Sequence, residues 1–246
     1  MHFLVLSDAH ANTEYLGKLD DEFKKADAVI FAGDFTNQNE AEKALPVLEL
    51  LEKKSPALYA VLGNCDEPAF LEELEKRDIS VQGTMVFRDG LAFAGSGGAS
   101  IFTRTTPNER TEEELQGDFD MVAEHSAEYE EPEDAEAESK AAAQSDASLE
   151  WNNLIVISHN PPKDTKVDMI TSGLHVGSAL YREFLETYQP LLAVSGHVHE
   201  AAAVDTIGKT TVINPGPLME GCYAVVDIQK KDGAWAVTTA SLKKLN

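Results

Sequence analysis

Cysteine is nearly absent from this chain. Cys65 and Cys222 are the only two in 246 residues, and they lie far apart. That excludes a disulfide framework and a cysteine-rich structural zinc site. It suits a reducing compartment, so a cytoplasmic location is expected. Long apolar runs are also missing. Phe3-Leu4-Val5-Leu6, Ala28-Val29-Ile30-Phe31 and Leu154-Ile155-Val156-Ile157 are short and bounded, well below the roughly 18 residues of a membrane-spanning helix. The first residues enter an apolar stretch at once, without a basic segment or a long apolar core, so no secretory signal is expected. Positive charge is scarce: 20 Lys and Arg stand against 43 Asp and Glu, for a net charge of −23. Without a Lys/Arg cluster, no grip on long nucleic acid through its phosphates is expected. No repeat of fixed period is visible.

The acidity is uneven. Residues 109–150 hold 16 Asp and Glu against only Arg110 and Lys140, so that segment carries −14 of the −23. An ordinary, mildly acidic protein thus bears one very acidic stretch. From Glu124 to Glu150 large apolar residues are few and Glu, Ala and Ser abound. Such a composition favours helix but buries little surface. Residues 104–150 therefore read as an insertion, a helical arm over or beside the rest, which contributes little core. With 43% hydrophobic residues, residues 1–246 are expected to form one domain around that insertion.

The first third alternates strand and helix. Strands are expected at 2–7, 27–32 and 57–62, and helices at 13–25, 39–54 and 67–77, with Pro46 near the start of the second. This order implies an α/β fold with parallel strands and right-handed crossovers. Short strands follow at 79–81, 84–88 and 91–95, with Asp89-Gly90 as a hairpin turn and Gly95–Gly98 as a flexible loop. A strand at 154–158, a helix over 177–188 capped by Ser178, and a strand at 191–195 resume the pattern. Strands near 200–204, 209–213, 221–228 and 234–241 close it, with Asp232-Gly233 as the last hairpin. Strand-rich stretches after both halves suggest two facing sheets.

Each strand end carries metal-capable residues: Asp8 and His10, Gly33-Asp34, Gly63-Asn64, His159, and Gly196-His197-Val198-His199. Any one of these could be ordinary turn chemistry. Five together, at the ends of strands that deliver ligands to a common crevice, form a site. Seven oxygen and nitrogen ligands suit two divalent cations sharing a bridging carboxylate, the usual device for phosphate-ester hydrolysis. Imidazole, carboxylate and amide oxygen without thiolate suit Mn, placed first, or Fe, Zn, Co or Ni.

These motifs, Asp8-x-His10, Gly33-Asp34, Gly63-Asn64-x-Asp66, His159 and Gly196-His197-x-His199, resemble those of the calcineurin-like metallophosphoesterases, in family order over roughly residues 1–217 apart from the insertion. Gly33-Asp34-Phe35-Thr36, His159-Asn160-Pro161-Pro162 and His199-Glu200 look most like the Icc-related predicted phosphoesterases of prokaryotes. The resemblance implies a four-layer αββα sandwich. It implies that Asp8, His10 and His199 hold one metal, that Asn64, His159 and His197 hold the other, and that Asp34 bridges them. A metal-bridging hydroxide would attack the phosphorus. Asn64 would also fix a substrate oxygen, and Asp66 would orient a neighbouring ligand.

Where many family members have His after the motif Asn, this chain has Cys65. A thiol with a pKa of about 8.5 is a poorer general acid at neutral pH. The Gly-Asn-Cys-Asp string is similar to one in a branch associated with phosphodiester hydrolysis. His175, in a Gly-bounded loop, is the next candidate to protonate a leaving group or touch substrate. Lys163, Lys166 and Asn12 are lesser ones, His2 and His125 read as incidental, and Asn214-Pro215-Gly216 reads as a turn supporting the site. The expected partner is a small phosphoester, phosphodiester favoured, with no membrane. Self-association stays open. The alternative is a scaffold or regulatory binding protein on the same fold that uses its acidic arm for a partner.

Overall fold

The computed structural model describes residues 1–38, 40–130 and 151–245. The first third runs β1 (His2–Leu6), α1 (Glu14–Lys18), α2 (Asp20–Lys25), β2 (Ala28–Phe31), α3 (Ala44–Lys54), β3 (Leu58–Ala60) and α4 (Leu71–Glu75). Next come the hairpin β4 (Met85–Arg88) and β5 (Leu91–Ser96), the short pair β6 (Ala99–Ser100) and β7 (Glu109–Arg110), then α5 (Glu112–Gly117) and α6 (Asp120–Glu130). The rest is β8 (Leu154–Ser158), α7 (Ala179–Tyr188), β9 (Leu192–Val194), β10 (Ala203–Ile207), β11 (Thr210–Asn214), β12 (Cys222–Lys231) and β13 (Ala234–Lys244).

Two mixed sheets result, one ordered β13-β12-β1-β2-β3 and the other β10-β11-β9-β8-β5-β4. Successive side chains on a strand point to opposite faces, and the burial follows that rule. Phe3, Val5, Ile30 and Tyr59 of the first sheet meet Phe93, Ile155, Ile157 and Val194 of the second in one apolar layer. Leu4, Leu6, Val29 and Phe31 turn the other way onto Leu16, Phe23, Leu48 and Leu51 of the first helices. Ala92, Leu154, Val156 and Val212 turn outward onto Phe119, Val122, Phe184 and Leu185. Helix, sheet, sheet, helix is the αββα sandwich. Strands buried on both faces read as continuous apolar runs, which is why β1, β2 and β8 were legible. Among the described residues no helix is long and apolar enough to cross a membrane.

Several expected boundaries shift. The helix expected over 13–25 breaks at Leu19, whose N–H bonds back to Leu16 O in a tight turn. Gly17, a weak helix former, precedes the break. Residues 79–81 form no strand: Ser80 bridges Ala60 and Gln82 bridges Gly95, so the segment passes from β3, at the edge of the first sheet, to β5 of the second without following either. Gly95 and Ser96 belong to β5 and Ala99 opens β6, so the expected loop shortens to Gly97 and Gly98. Residues 199–201 form a single 3-10 turn, and the next strand starts at Ala203. Both Asp-Gly hairpins hold, with Asp89 and Gly90, and Asp232 and Gly233, all at positive φ, as a type I′ turn needs. Ser178 caps α7 by accepting from Tyr181 N.

The acidic segment needs the largest correction. Its first part is core. Thr111 and Glu114 form a capping box that starts α5, Arg110 pairs with Asp118 at 2.6 Å, and Leu115, Phe119 and Val122 are buried. Trp151 Nε1 donates to Ser126 Oγ, 2.9 Å away. Residues 131–150, the remainder of the expected arm, lie outside the described residues. Phe119 stacks on Phe184 with ring centroids 4.6 Å apart, so Phe119→Ala is expected to cost about 3–5 kcal/mol. Urea denaturation checks this, and a loss under about 1 kcal/mol would show that the segment is peripheral.

Candidate active site

The ends of β1, β2, β3, β8 and β9 converge, and the residues just beyond them meet. Their backbones are unusual. Asp8, His10, Asp34 and His197 all adopt positive φ, between 47° and 67°. That region is sparse for non-glycine residues, with Asp and His among those that enter it most often. The close approach of the loops demands glycine at two neighbouring positions. A Cβ on Gly63 would lie 2.0 Å from Asp34 Oδ1, and one on Gly196 would lie 2.0 Å from Ser7 Oγ.

Two clusters of ligand atoms form around Asp34. In one, His10 Nε2 lies 3.1 Å from His199 Nε2, and Asp8 Oδ1 lies 3.4 Å from His199 Nε2. In the other, Asn64 Oδ1 lies 2.9 Å from His159 Nε2 and 2.8 Å from His197 Nδ1. Asp34 Oδ2 stands between them, 3.6 Å from His10 Nε2 and 3.5 Å from His159 Nε2. All seven expected ligands are therefore brought together. The ligand atoms of Asp8, His10 and His199 lie within 4.8 Å of one another, as do those of Asp8, Asp34 and His159.

This donor set fits cations. Burial pushes the His159 pKa down to about 3, so the ring is neutral. Its Nδ1 must carry the proton, because it lies 2.7 Å from Ala32 O, an acceptor only. The Nε2 lone pair then faces Asn64 Oδ1, another acceptor. Two acceptors at 2.9 Å repel each other unless a cation shares them. Burial also lowers the His10 and His197 pKa values, so these rings too offer lone pairs. The bond to Asp8 raises that of His199. Burial, reinforced by Asp66 and Asp8, pushes Asp34 well above the usual carboxylate range. A dication beside it removes that penalty. Burial opposes ionisation of Asp8 too, but His199, His159 and His10 outweigh it and hold its pKa low.

Asp66 is fully buried and points away from the cluster into backbone. It accepts from the N–H groups of Asp34, Thr36 and Gly63 at 3.0, 3.1 and 2.8 Å. It thereby ties the loop after β2 to the loop after β3. Burial nevertheless raises its pKa to about 6. Cys65 donates its N–H to Asp34 Oδ1 at 2.8 Å, and burial with the neighbouring Asp34 charge pushes its thiol far up. Asn214 supports the histidine loop, donating from Nδ2 to Val198 O at 2.9 Å.

A cavity of about 630 Å³ opens beside Asn64, His197 and His199. His175 is not among the described residues lining it. Its Nδ1 lies 2.7 Å from the buried Asp168, whose carboxylate also accepts from Thr165 and Gly177 N–H and so shapes the 162–178 loop. Lys163 and Lys166 do not line the cavity either; Lys166 pairs with Asp205, and Asn12 accepts from Glu14 N. Three cavity-shaping residues were not singled out from sequence. Asn160 lines the cavity and donates to Ser100 Oγ at 2.8 Å. Asp168 and Glu109 each organise a loop by accepting backbone N–H groups, which one acid among 43 does not advertise.

Glu109 accepts from the N–H groups of Phe102, Thr103, Arg104, Thr105 and Thr106 at 2.7–3.1 Å. Burial opposes its ionisation, but these donors prevail and pull its pKa from 4.5 to about 2. A carboxyl depressed in the fold contributes stability above its unfolded pKa, and that contribution is lost as pH falls through the folded value. The stability difference between wild type and Glu109→Gln is therefore expected to be constant above pH 4.5 and to shrink as pH falls towards about 2. Urea titrations across that window check it. A difference that grows on acidification would refute the cage.

Comparison with known proteins agrees with this geometry. Residues 1–201 match the family model of the calcineurin-like phosphoesterases, and the chain belongs to that family. An uncharacterized protein of Methanocaldococcus jannaschii is 29% identical over 216 residues, covering 85% of both chains. The solved structure of TT1561 of Thermus thermophilus has a TM-score of 0.62 at 18% identity, over 92% of this chain and 93% of its own. A dimetal phosphatase from Danio rerio has a TM-score of 0.56 at 14% identity, over 99% and 98%. At such identities the structures speak for the fold alone. Family membership and the complete Asp/His cluster make this chain a metal-dependent phosphoesterase, and leave the scaffold alternative without support.

Proposed function

We propose that the chain hydrolyses a small phosphodiester at a binuclear centre. Asp8, His10 and His199 hold one cation, Asn64, His159 and His197 hold the second, and Asp34 is shared. The observation that carries this reading is the position of Asp34 Oδ2, nearly equidistant from His10 Nε2 and His159 Nε2. Two divalent cations held there would supply hydroxide as the nucleophile at neutral pH and would offset charge building on the phosphoryl oxygens. Manganese is the first choice among Mn, Fe, Zn, Co and Ni, and a cytoplasmic site of action belongs to the same reading.

The chain's own residues supply orientation. Ala32 O fixes the His159 tautomer, and Asp66 fixes the Asp34 and Gly63 backbones. Asn64, a neutral ligand on the cavity wall, is placed to steady a phosphoryl oxygen. Diesters are favoured because the Gly63-Asn64-Cys65-Asp66 string is similar to one in a family branch associated with phosphodiester hydrolysis. Burial and Asp34 keep the Cys65 thiol protonated, so it releases a proton to an alkoxide poorly, and His175 is tied to Asp168.

Asp34→Asn removes a charge shared by two dications. Metal content, measured by elemental analysis, and turnover of an aryl phosphodiester are expected to collapse together; an Asn variant that keeps both metals and its rate would overturn the assignment. Cys65→His is expected to add a general acid. Such a group is worth about 10²–10⁴-fold, gained for alkyl esters and hardly at all for nitrophenyl esters. A folded, metal-loaded variant with an unchanged alkyl-to-aryl rate ratio would mean that Cys65 only packs.

A further inference from the structure

The cavity beside the metal-ligand cluster has an apolar wall. Ile101 and Phe102 come from the loop caged by Glu109, and Ile170 and Val176 from the loop shaped by Asp168. Two of these four side chains are exposed, and Ile101 and Ile170 are half-buried. Phe102 is 91% exposed and Val176 42%, and Met169 and Leu174, in the same loop as Val176, are also exposed. Among the described lining residues there is no lysine or arginine, and two carboxylates, Glu109 and Glu200, stand on the wall. Glu200 accepts from Thr171 Oγ1, which joins the second loop to the histidine turn.

We infer that this wall receives the ester group of the substrate, and that this group is apolar and carries no charge of its own. The inference rests on the phosphodiesterase reading and names its substrate class: a phosphodiester with an aliphatic or aromatic substituent. Three observations select that occupant. The wall is continuous with Asn64, His197 and His199, so a phosphoryl group at the ligand cluster places its substituent there. A second phosphate or a carboxylate on the substituent would meet Glu109 and Glu200 with no cation on the wall to offset it. Both loops are held by backbone bonds to buried or caged carboxylates, so the wall exists before substrate arrives, and burying Phe102 orders little chain.

The test uses the metal-loaded full chain and n-alkylphosphonates from methyl to hexyl as inhibitors of aryl-diester hydrolysis. Each bears one substituent, so where it sits is unambiguous. Inhibition constants are expected to fall by up to about fourfold per covered methylene, and by tenfold or more in all. A hexyl chain ending in a carboxylate should lose that gain. In Phe102→Ala and Ile170→Ala the methyl-to-hexyl ratio should shrink, while in Phe87→Ala, whose exposed ring is not on the wall, it should stay as in wild type. A ratio near one in wild type, or an unchanged ratio in both wall variants, overturns the inference and leaves phosphoester hydrolysis standing. Absence of metal-dependent turnover of any ester overturns both. A flat series, with a dimer that Phe102→Ala converts to monomer, overturns it in favour of a second copy of the chain as occupant.

Discussion

Two buried carboxylates, Asp8 and Asp34, set the terms for everything around them. Each costs free energy to ionise away from water, and they stand within a few ångströms of each other. Protein groups offset this cost at Asp8 but not at Asp34. Asp8 draws on His199 and the other imidazoles, while Asp34 receives one N–H from Cys65. The imidazoles cannot complete the compensation, because burial favours their neutral forms at His10, His159 and His197. The Asp34 carboxylate is therefore the group that gains most from a cation beside it, and strand ends from both sheets bring the seven candidate ligands to one point.

Holding those ligands strains the chain. Four of the seven sit at left-handed φ values, each disfavoured for a residue with a Cβ, and such strain persists where surroundings over-determine it. Here the over-determination is visible. Asp8 N bonds Gly33 O, His10 N bonds Asp34 O, and the Asp66 carboxylate binds the β2 and β3 loops together. The Asp66 cage shapes the site without facing it.

What could be read in the sequence follows from this division. The candidate ligands stood out in sequence because each sits one to five residues beyond an apolar run, and because imidazole and carboxylate rarely gather at five such places by chance. The layers were legible from apolar runs too long for one-sided strands. Residues 79–81 misled because Val81 is fully buried although its backbone pairs at single points. The segment 109–126 misled because its acidic composition hides three apolar residues at helical spacing, Leu115, Phe119 and Val122. The cavity wall was illegible in principle. Ile101, Phe102, Ile170 and Val176 come from aperiodic loops far apart in sequence, and only the fold makes them neighbours.

The loop at 102–106 is held by its main chain rather than by its side chains. Five successive N–H groups close on Glu109, and any residue except proline supplies an N–H. The identity of Phe102 is thus nearly free of the loop's shape, Arg104 is constrained by its positive φ, and Thr103 and Thr106 add only hydroxyl contacts to the same carboxylate. Substrate preference can be altered by exchanging side chains such as Phe102 on a fixed rim, while the bonds from Asn108 to the Gly63 and Asn64 carbonyls keep the rim in register with the candidate ligand cluster. An engineer can vary the rim by the same route, provided that position 109 keeps its carboxylate.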